Sequence, residues 1–209
     1  PGRSQRDAVL RAKSYLLDGY THSVDMDLSK FFDRVNHDRL MSRLALRIQD
    51  KRVLKLIRRY LTAGTMINGL VSPSIEGTPQ GGPLSPLLSN IVLDELDKEL
   101  EARGLNFVRY ADDFVIYCKS RKAAERVSQS ITKFITVKLK LKVNEDKSAV
   151  SRPWLRKFLG FTFISMCGQT KIRIHRKTIQ RFKDRVRELT DRNCGKSIQQ
   201  IIEKLNLYL

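Results

Sequence analysis

Cysteine is scarce in this chain and poorly placed for a structural role. Cys118, Cys167 and Cys194 are odd in number, widely spaced and form no C-x-x-C pair. That excludes a disulfide framework, offers nothing to a zinc site and fits a reducing cytosol. Long apolar runs are missing and no basic amphipathic helix dominates, so no membrane partner is expected. There is no visible signal peptide, internal repeat, low-complexity tract or linker. The chain opens at Pro1-Gly2-Arg3-Ser4 without a Met, which suggests an excised fragment. Acidic residues are also few, 22 against 40 basic ones, leaving a net charge of +18. An excess of that size points to a polyanionic partner, nucleic acid before a membrane surface. With 209 residues the chain can bury a sizeable core as one domain or a domain with an appendage.

What is present is led by residues 106–119, NFVRYADDFVIYCK. Apolar, β-prone residues flank Ala111-Asp112-Asp113, which predicts a hairpin with two aspartates at its turn. Upstream, Val24, Met26 and Leu28 alternate with Asp25 and Asp27, as a half-buried strand would, so the two acids share a face. Phe31 and Phe32 follow the strand.

Helices are expected over 6–17, from a cap at Asp38 through Leu40, Leu44 and Ile48, and over 51–63. In the last of these Lys51, Arg52, Lys55, Arg58 and Arg59 read as the wet face. Residues 64–74 read as a loop or hairpin. GTPQGGPLSP, 77–86, holds three glycines and three prolines, which argues against regular structure and lets backbone approach a ligand. Pro83 is the candidate first residue of the helix that follows, whose stripe runs through Leu84, Leu87, Leu88, Ile91, Val92, Leu96 and Leu100 to a stop at Gly104. Ser120 caps a further helix carrying Val127, Ile131, Phe134 and Ile135. Residues 158–163 read as a strand with Gly160 at a bulge or close approach. From Lys171 to Arg192 basic residues are dense over a helical apolar face of Ile179, Phe182, Val186 and Leu189, and a last helix begins near Ile198. This order predicts an α+β fold, an antiparallel sheet of the split-βαβ kind with helices on one side.

Two adjacent acids at a hairpin tip repel each other, and a hard divalent cation on their oxygens would offset the repulsion. Two or three carboxylates on one rim suit a two-metal site, in which ions roughly 3.5–4 Å apart clamp the attacking and leaving oxygens of a phosphoryl displacement. Mg²⁺ is the expected ion. With a basic chain, nucleotidyl transfer is the natural reaction class. Nuclease chemistry uses the same ions, and spacing alone does not separate the two.

These residues carry a resemblance. Tyr110-Ala111-Asp112-Asp113 resembles the YxDD signature of reverse transcriptases, and DLSKFFD, 27–33, resembles their motif A. TPQGGPLSPLLSNIVLDELD, 78–97, is similar to the matching block of bacterial group II intron-encoded reverse transcriptases, the maturases. Pro1-Gly2-Arg3-Ser4, Asn144-Glu145-Asp146-Lys147 and Phe158-Leu159-Gly160-Phe161 fall in that family's order too.

The resemblance implies a right-hand polymerase: a palm with part of the fingers over 1–165 and the start of the thumb or maturase region over 166–209. It implies that Asp27 and Asp112 hold two Mg²⁺ ions (Mn²⁺ able to substitute), with Asp113 a third acid and the Leu28 carbonyl an added ligand. Phe32 would be the steric gate against a ribose 2′-OH, and Pro79, Gln80 and Gly81 would line the nucleotide pocket. Lys147 would lie near the leaving pyrophosphate as a general acid, or be a solvated strand-end lysine. Phe158, Leu159, Gly160 and Phe161 would form the primer grip, or an ordinary core strand. Lys171, Arg173, Arg176, Lys177 and Arg181 would track the template–primer backbone. The implied partners are an RNA template, a DNA primer, dNTPs and a group II intron RNA, in a bacterial cytoplasm. The family's N-terminal fingers blocks and the rest of its thumb are not in this sequence, so the 209 residues alone are expected to be weakly active or inactive. The alternative is a non-catalytic RNA-binding splicing factor that keeps the fold, yet all three aspartates are present. A structural RRM-like domain would instead expect ring-stacking aromatics on its sheet face.

Overall fold

The structure, a computed structural model, describes residues 4–29, 31–63, 65–67, 70–72, 77–78, 84–166, 169–191, 195 and 197–209. The chain separates into two compact units, Pro1–Arg152 and Pro153–Leu209. The break comes earlier than the expected boundary after residue 165, which falls inside a strand of the second unit.

The first unit runs α1 (Gln5–Leu17), β1 (His22–Met26), α2 (His37–Ala45), α3 (Lys51–Thr62), β2 (Thr65–Ile67), β3 (Leu70–Ser72), α4 (Ser85–Ala102), β4 (Asn106–Tyr110), β5 (Asp113–Cys118), α5 (Arg121–Phe134) and β6 (Ala149–Ser151). Four of these strands form one sheet in the order β4-β5-β1-β6, with β1 antiparallel to both its neighbours. β1 and β4 are parallel with β5 inserted between them, which is the split βαβ arrangement expected. β2 and β3 pair separately as a hairpin.

The alternation along β1 decides where the core lies. Val24 and Met26 face the helices and pair in register with Ile116 and Phe114. They join Leu88, Leu93, Leu96 and Leu100 of α4 and Ala124 and Ile131 of α5 in one buried cluster. Truncating one such leucine to alanine costs about 2–5 kcal/mol. The opposite face is not bare: α1 buries Val9, Ala12 and Tyr15, and the Tyr15 ring lies 5.5 Å from that of Tyr117. Helices therefore cover one face fully and part of the other. Burial, and then the charge of Asp25, pushes the Tyr117 hydroxyl above the usual tyrosine range.

Several boundaries differ from the sequence reading. Asn36, not Asp38, caps α2, its side chain accepting from the Arg39 N–H at 3.0 Å. Asp38 instead accepts from Arg58 at 2.6 Å, tying α2 to α3, so Arg58 is not simply a solvated residue. α4 takes Pro86, not Pro83, in its first turn, and Pro83 lies outside the described residues. Gly104 sits at a φ of +64° just past the end of α4, as its stop requires. Ser120 caps α5.

In the second unit β7 (Phe161–Met166) and β8 (Gln169–Ile174) form a hairpin, followed by α6 (Arg176–Leu189) and α7 (Ile198–Tyr208). Residues 158–160 are a tight turn rather than the start of a strand. Leu159 and Gly160 have φ of 49° and 86°, and Phe158 and Phe161 exchange two backbone hydrogen bonds of 2.9 Å across them. Positive φ at both central positions is the mirror-image two-residue turn that fits strand twist. The basic stretch is also divided: Lys171 and Arg173 lie on β8, and Arg176, Lys177 and Arg181 on α6. None of the described residues of α6 or α7 is buried, and Phe182 stacks on Tyr208 at 5.9 Å.

Candidate active site: a strand end beside a carboxylate turn

Asp27 follows directly on β1. Its N–H donates to the Ser148 Oγ at 3.0 Å, and its carbonyl accepts from the Asn144 N–H at 2.8 Å. Leu28 bridges to Val143, its side chain buried. Residues 143–148 thus fix the main chain of Asp27 and leave its carboxylate about one-third exposed. Asp25, on the same face, is held differently: Ser23 and Ser151 hydroxyls donate to its Oδ2 at 3.2 and 3.4 Å. Asp25 is therefore bound into the sheet, while Asp27 faces outward.

Asp112 is the second residue of the two-residue loop between β4 and β5, and Asp113 opens β5, paired with Tyr110. The register brings these acids to the same end of the sheet as Asp27. β1 and β5 pair as Met26↔Phe114, and Asp27 and Asp113 are the next residues along each chain, with Asp112 one further. Asp112 is half-buried and Asp113 exposed. Lys147 brings its Nζ to 3.8 Å from the Asp27 Oδ2 with its side chain 70% exposed, a water-screened pair of small energetic weight.

Three oxygen-bearing acids are the right donors for a hard divalent cation. Among the described residues no three His, Cys, Asp or Glu side chains stand close enough together to hold a metal by themselves. The donor chemistry fits Mg²⁺ nonetheless, since this ion takes one or two carboxylates and completes its shell with water and substrate phosphates.

Phe32 sits in a single helical turn, Phe31–Asp33, half-buried, its ring edge-on to Phe31 at 5.4 Å. Pro79, Gln80 and Gly81 lie outside the described residues. In the second unit Phe158 is buried, Leu159 and Gly160 form the turn, and Phe161 opens β7. Lys171, Arg173, Arg176, Lys177 and Arg181 are all exposed.

Two sets of residues around the site escape a sequence reading. Arg109 forks onto Asp97 of α4 at 2.7 and 2.5 Å, and its Nη1 donates to Asn90 and to the Ala111 carbonyl, both at 2.8 Å. His37 and Gly77 form the other, close to Phe32. The paired residues come from different elements, and no local pattern marks them.

A split-βαβ sheet with acids at the end of its central strand and at the adjoining hairpin turn is a polymerase-palm type of domain. The chain belongs to the reverse transcriptase (RNA-dependent DNA polymerase) family, which residues 1–163 match. It is 34% identical to protein YkfC of Escherichia coli K12, over 72% of this chain and 49% of that protein. It is 28% identical to the group II intron-encoded protein LtrA of Lactococcus lactis subsp. cremoris, over 66% of this chain and 34% of LtrA. The chain thus spans about half the length of the first relative and a third of the second. Among solved structures, apo telomerase from Candida tropicalis superposes with a TM-score of 0.62 at 15% identity, covering 96% of this chain and 40% of that one, a likeness of fold. No helix among the described residues is long and apolar enough to cross a membrane.

Proposed function

We propose that the chain is the palm, with part of the fingers and the start of the thumb, of an RNA-directed DNA polymerase encoded by a group II intron. The observation that carries this reading is the β1–β5 register, Met26 opposite Phe114, which supports an acidic end of the sheet formed by Asp27 and the Asp112-Asp113 turn, inside the stretch that matches the family. The likeness to LtrA supports the intron-encoded class and, with it, a role in splicing the host intron RNA. The net charge of +18 supports a nucleic-acid partner.

In this reading Asp27 and Asp112 hold the metal ions, with Asp113 and the Leu28 carbonyl as further oxygen donors. Two Mg²⁺ ions, or Mn²⁺ in their place, supply the positive charge that stabilises an in-line displacement when bound. The chain's own residues orient and select. Phe32 blocks the ribose 2′-OH, and Pro79, Gln80 and Gly81 line the nucleotide pocket. Lys147, exposed beside Asp27, serves the leaving pyrophosphate as a general acid. Residues 158–161 act as the primer grip, and Lys171, Arg173, Arg176, Lys177 and Arg181 follow the template–primer backbone. The 209 residues alone are weakly active or inactive.

The test is primer extension on an RNA template with Mg²⁺ and dNTPs, using the full-length protein beside Asp112→Ala. Extension that vanishes in the variant supports the polymerase role and the metal role together. Tight RNA binding with no extension in either protein would instead make it a splicing factor on a polymerase fold.

A further inference from the structure

The short turn that carries Phe32 is strapped down by residues far away in sequence. Gly77 donates its N–H to the Val35 carbonyl at 2.8 Å, and Thr78 donates its N–H to the Phe32 carbonyl at 2.5 Å. The Thr78 hydroxyl adds a longer contact to the same Phe32 oxygen at 3.4 Å. Gly77 has a φ of +91°, and a Cβ there would lie 2.8 Å from the Asp33 carbonyl carbon and from the Phe32 oxygen. The strap therefore crosses directly on the backbone of the turn, and only glycine fits.

What holds the strap is His37. Its Nε2 lies 2.5 Å from the Gly77 carbonyl. That oxygen can only accept, so Nε2 carries the proton. His37 is 3% exposed and Thr78 4%, so water does not substitute for either contact. His37 is the first residue of α2, whose Leu40 and Leu44 are anchored in the core. The chain of contacts runs from the core through α2 and His37 to Gly77, then through Thr78 to the Phe32 carbonyl.

We infer that His37 is a specificity-determining positioning residue: through the Gly77–Thr78 strap it fixes the backbone of Phe32, and so the tightness with which that ring excludes a ribose 2′-OH. The inference rests on the polymerase reading and its assignment of Phe32. A hydroxyl is excluded by a ring only while that ring cannot retreat by a fraction of an ångström. The position of the Phe32 ring is set first by its backbone, which the strap pins at the carbonyl. Releasing the strap lets the turn relax outward and admits the larger sugar. The incoming deoxynucleotide, which needs no such exclusion, is used nearly as before.

The experiment measures kcat/KM for a dNTP and for the matching rNTP in primer extension by the full-length protein. The proteins are the wild type, Phe32→Ala, His37→Leu, His37→Gln and the double variant Phe32→Ala/His37→Leu. The expected result is a discrimination ratio about tenfold lower in His37→Leu, through better rNTP use. It should be largely restored in His37→Gln, whose amide can donate to the same carbonyl, and His37→Leu should add little once Phe32 is gone. A purely structural histidine lowers both efficiencies together and leaves the ratio unchanged; that result overturns the proposal. If His37→Leu does not fold, His37→Asn, whose amide is too short to reach the Gly77 carbonyl, gives the same readout, and an unchanged ratio there overturns it equally. Failure of the underlying reading looks different: no dNTP extension by the wild type, or no change of ratio in Phe32→Ala, removes the polymerase or the gate assignment and the proposal with it.

Discussion

Two two-residue turns in this molecule solve the same problem in opposite ways. Ala111 and Leu159 are both non-glycine residues at positive φ, 56° and 49°, each the first residue of a tight loop between paired positions. After Leu159 comes Gly160 at 86°, so the second turn has positive φ at both centres and closes on its own backbone bonds. Its glycine carbonyl also accepts from the His175 N–H at 2.9 Å and the Thr178 hydroxyl at 3.0 Å. After Ala111 comes Asp112, which does not join it at positive φ. A turn with positive φ at its first centre alone ordinarily has glycine there. Alanine costs about 1–2 kcal/mol in that conformation.

The difference lies in what maintains each turn. The loop at 159–160 has glycine at one of its two positive-φ centres and closes on its own backbone bonds, with His175 and Thr178 adding contacts to the Gly160 carbonyl. The loop at 111–112 is held from outside, by an arginine that is 13% exposed, forked onto an aspartate of α4 and donating to the Ala111 carbonyl. Backbone strain of this kind persists where the surroundings over-determine it, and it clusters at functional sites. Here the second position of the loop is given to a carboxylate, and the turn's geometry is supplied by a neighbouring helix.

The largest expected effect separates the two turns by chemistry. Asp112→Ala should lower primer extension by on the order of 10²–10³-fold, the scale of losing one electrostatic stabiliser. Its thermal unfolding midpoint should barely move, since Asp112 is only half-buried. Extension retained within tenfold would remove Asp112 from the reaction.

Next is the clamp. Arg109→Gln should reduce extension about tenfold or more and destabilise the first unit by about 2 kcal/mol, because Asp97 loses its forked partner while still three-quarters covered. Arg109→Lys should recover little, because an ammonium cannot span Asp97, Asn90 and the Ala111 carbonyl together. Denaturant melts and extension rates on the same preparations check both. Full recovery by lysine would reduce Arg109 to a simple charge.

For Gly160→Ala the readout is stability. An added Cβ meets only ordinary contacts, at 3.6 and 3.8 Å from Thr178 side-chain atoms, so the cost comes from φ and amounts to about 1 kcal/mol. Limited proteolysis should show the second unit more readily cut. An unchanged pattern would mean that the glycine is not what sets this turn.

These contrasts also show what was legible in the sequence. Alternation placed Asp25 and Asp27 on one face, and the apolar runs around Ala111-Asp112-Asp113 located the hairpin, because both signals are local. The leucine stripe of α4 and the Ser120 cap are local too. Sequence alone points to Asp38 as the cap of α2, two residues past the actual cap. Asn36 and Asp38 are both good caps, and what distinguishes them is Arg58, twenty residues further on, which takes Asp38 for itself. Phe158-Leu159-Gly160-Phe161 reads as strand because its apolar residues outweigh one glycine, although the Leu-Gly pair turns the chain. β8 was absorbed into the basic stretch because Lys171 and Arg173 occupy its outward positions and mask the alternation. The clamps at Arg109 and His37 had no local signal, since their partners lie 12 and 40 residues away on other elements.

The smallest effect sharpens the comparison most. If the clamp exists to hold alanine in a conformation it resists, then glycine at that position should need the clamp less. Ala111→Gly alone should change stability by less than about 1 kcal/mol, because relief of strain is offset by the greater freedom of glycine in the unfolded chain. In a double-mutant cycle with Arg109→Gln, the two changes should couple by about 0.5–1 kcal/mol, the arginine's removal costing less beside glycine. The readout is denaturant unfolding of the four proteins at constant m-value. Additive effects would mean that Arg109 stabilises the hairpin through Asp97 alone, and that the short bond to the Ala111 carbonyl accompanies the strained turn without sustaining it. Coupling of the expected sign would show that the carboxylate turn, unlike the glycine turn, has its shape imposed by α4.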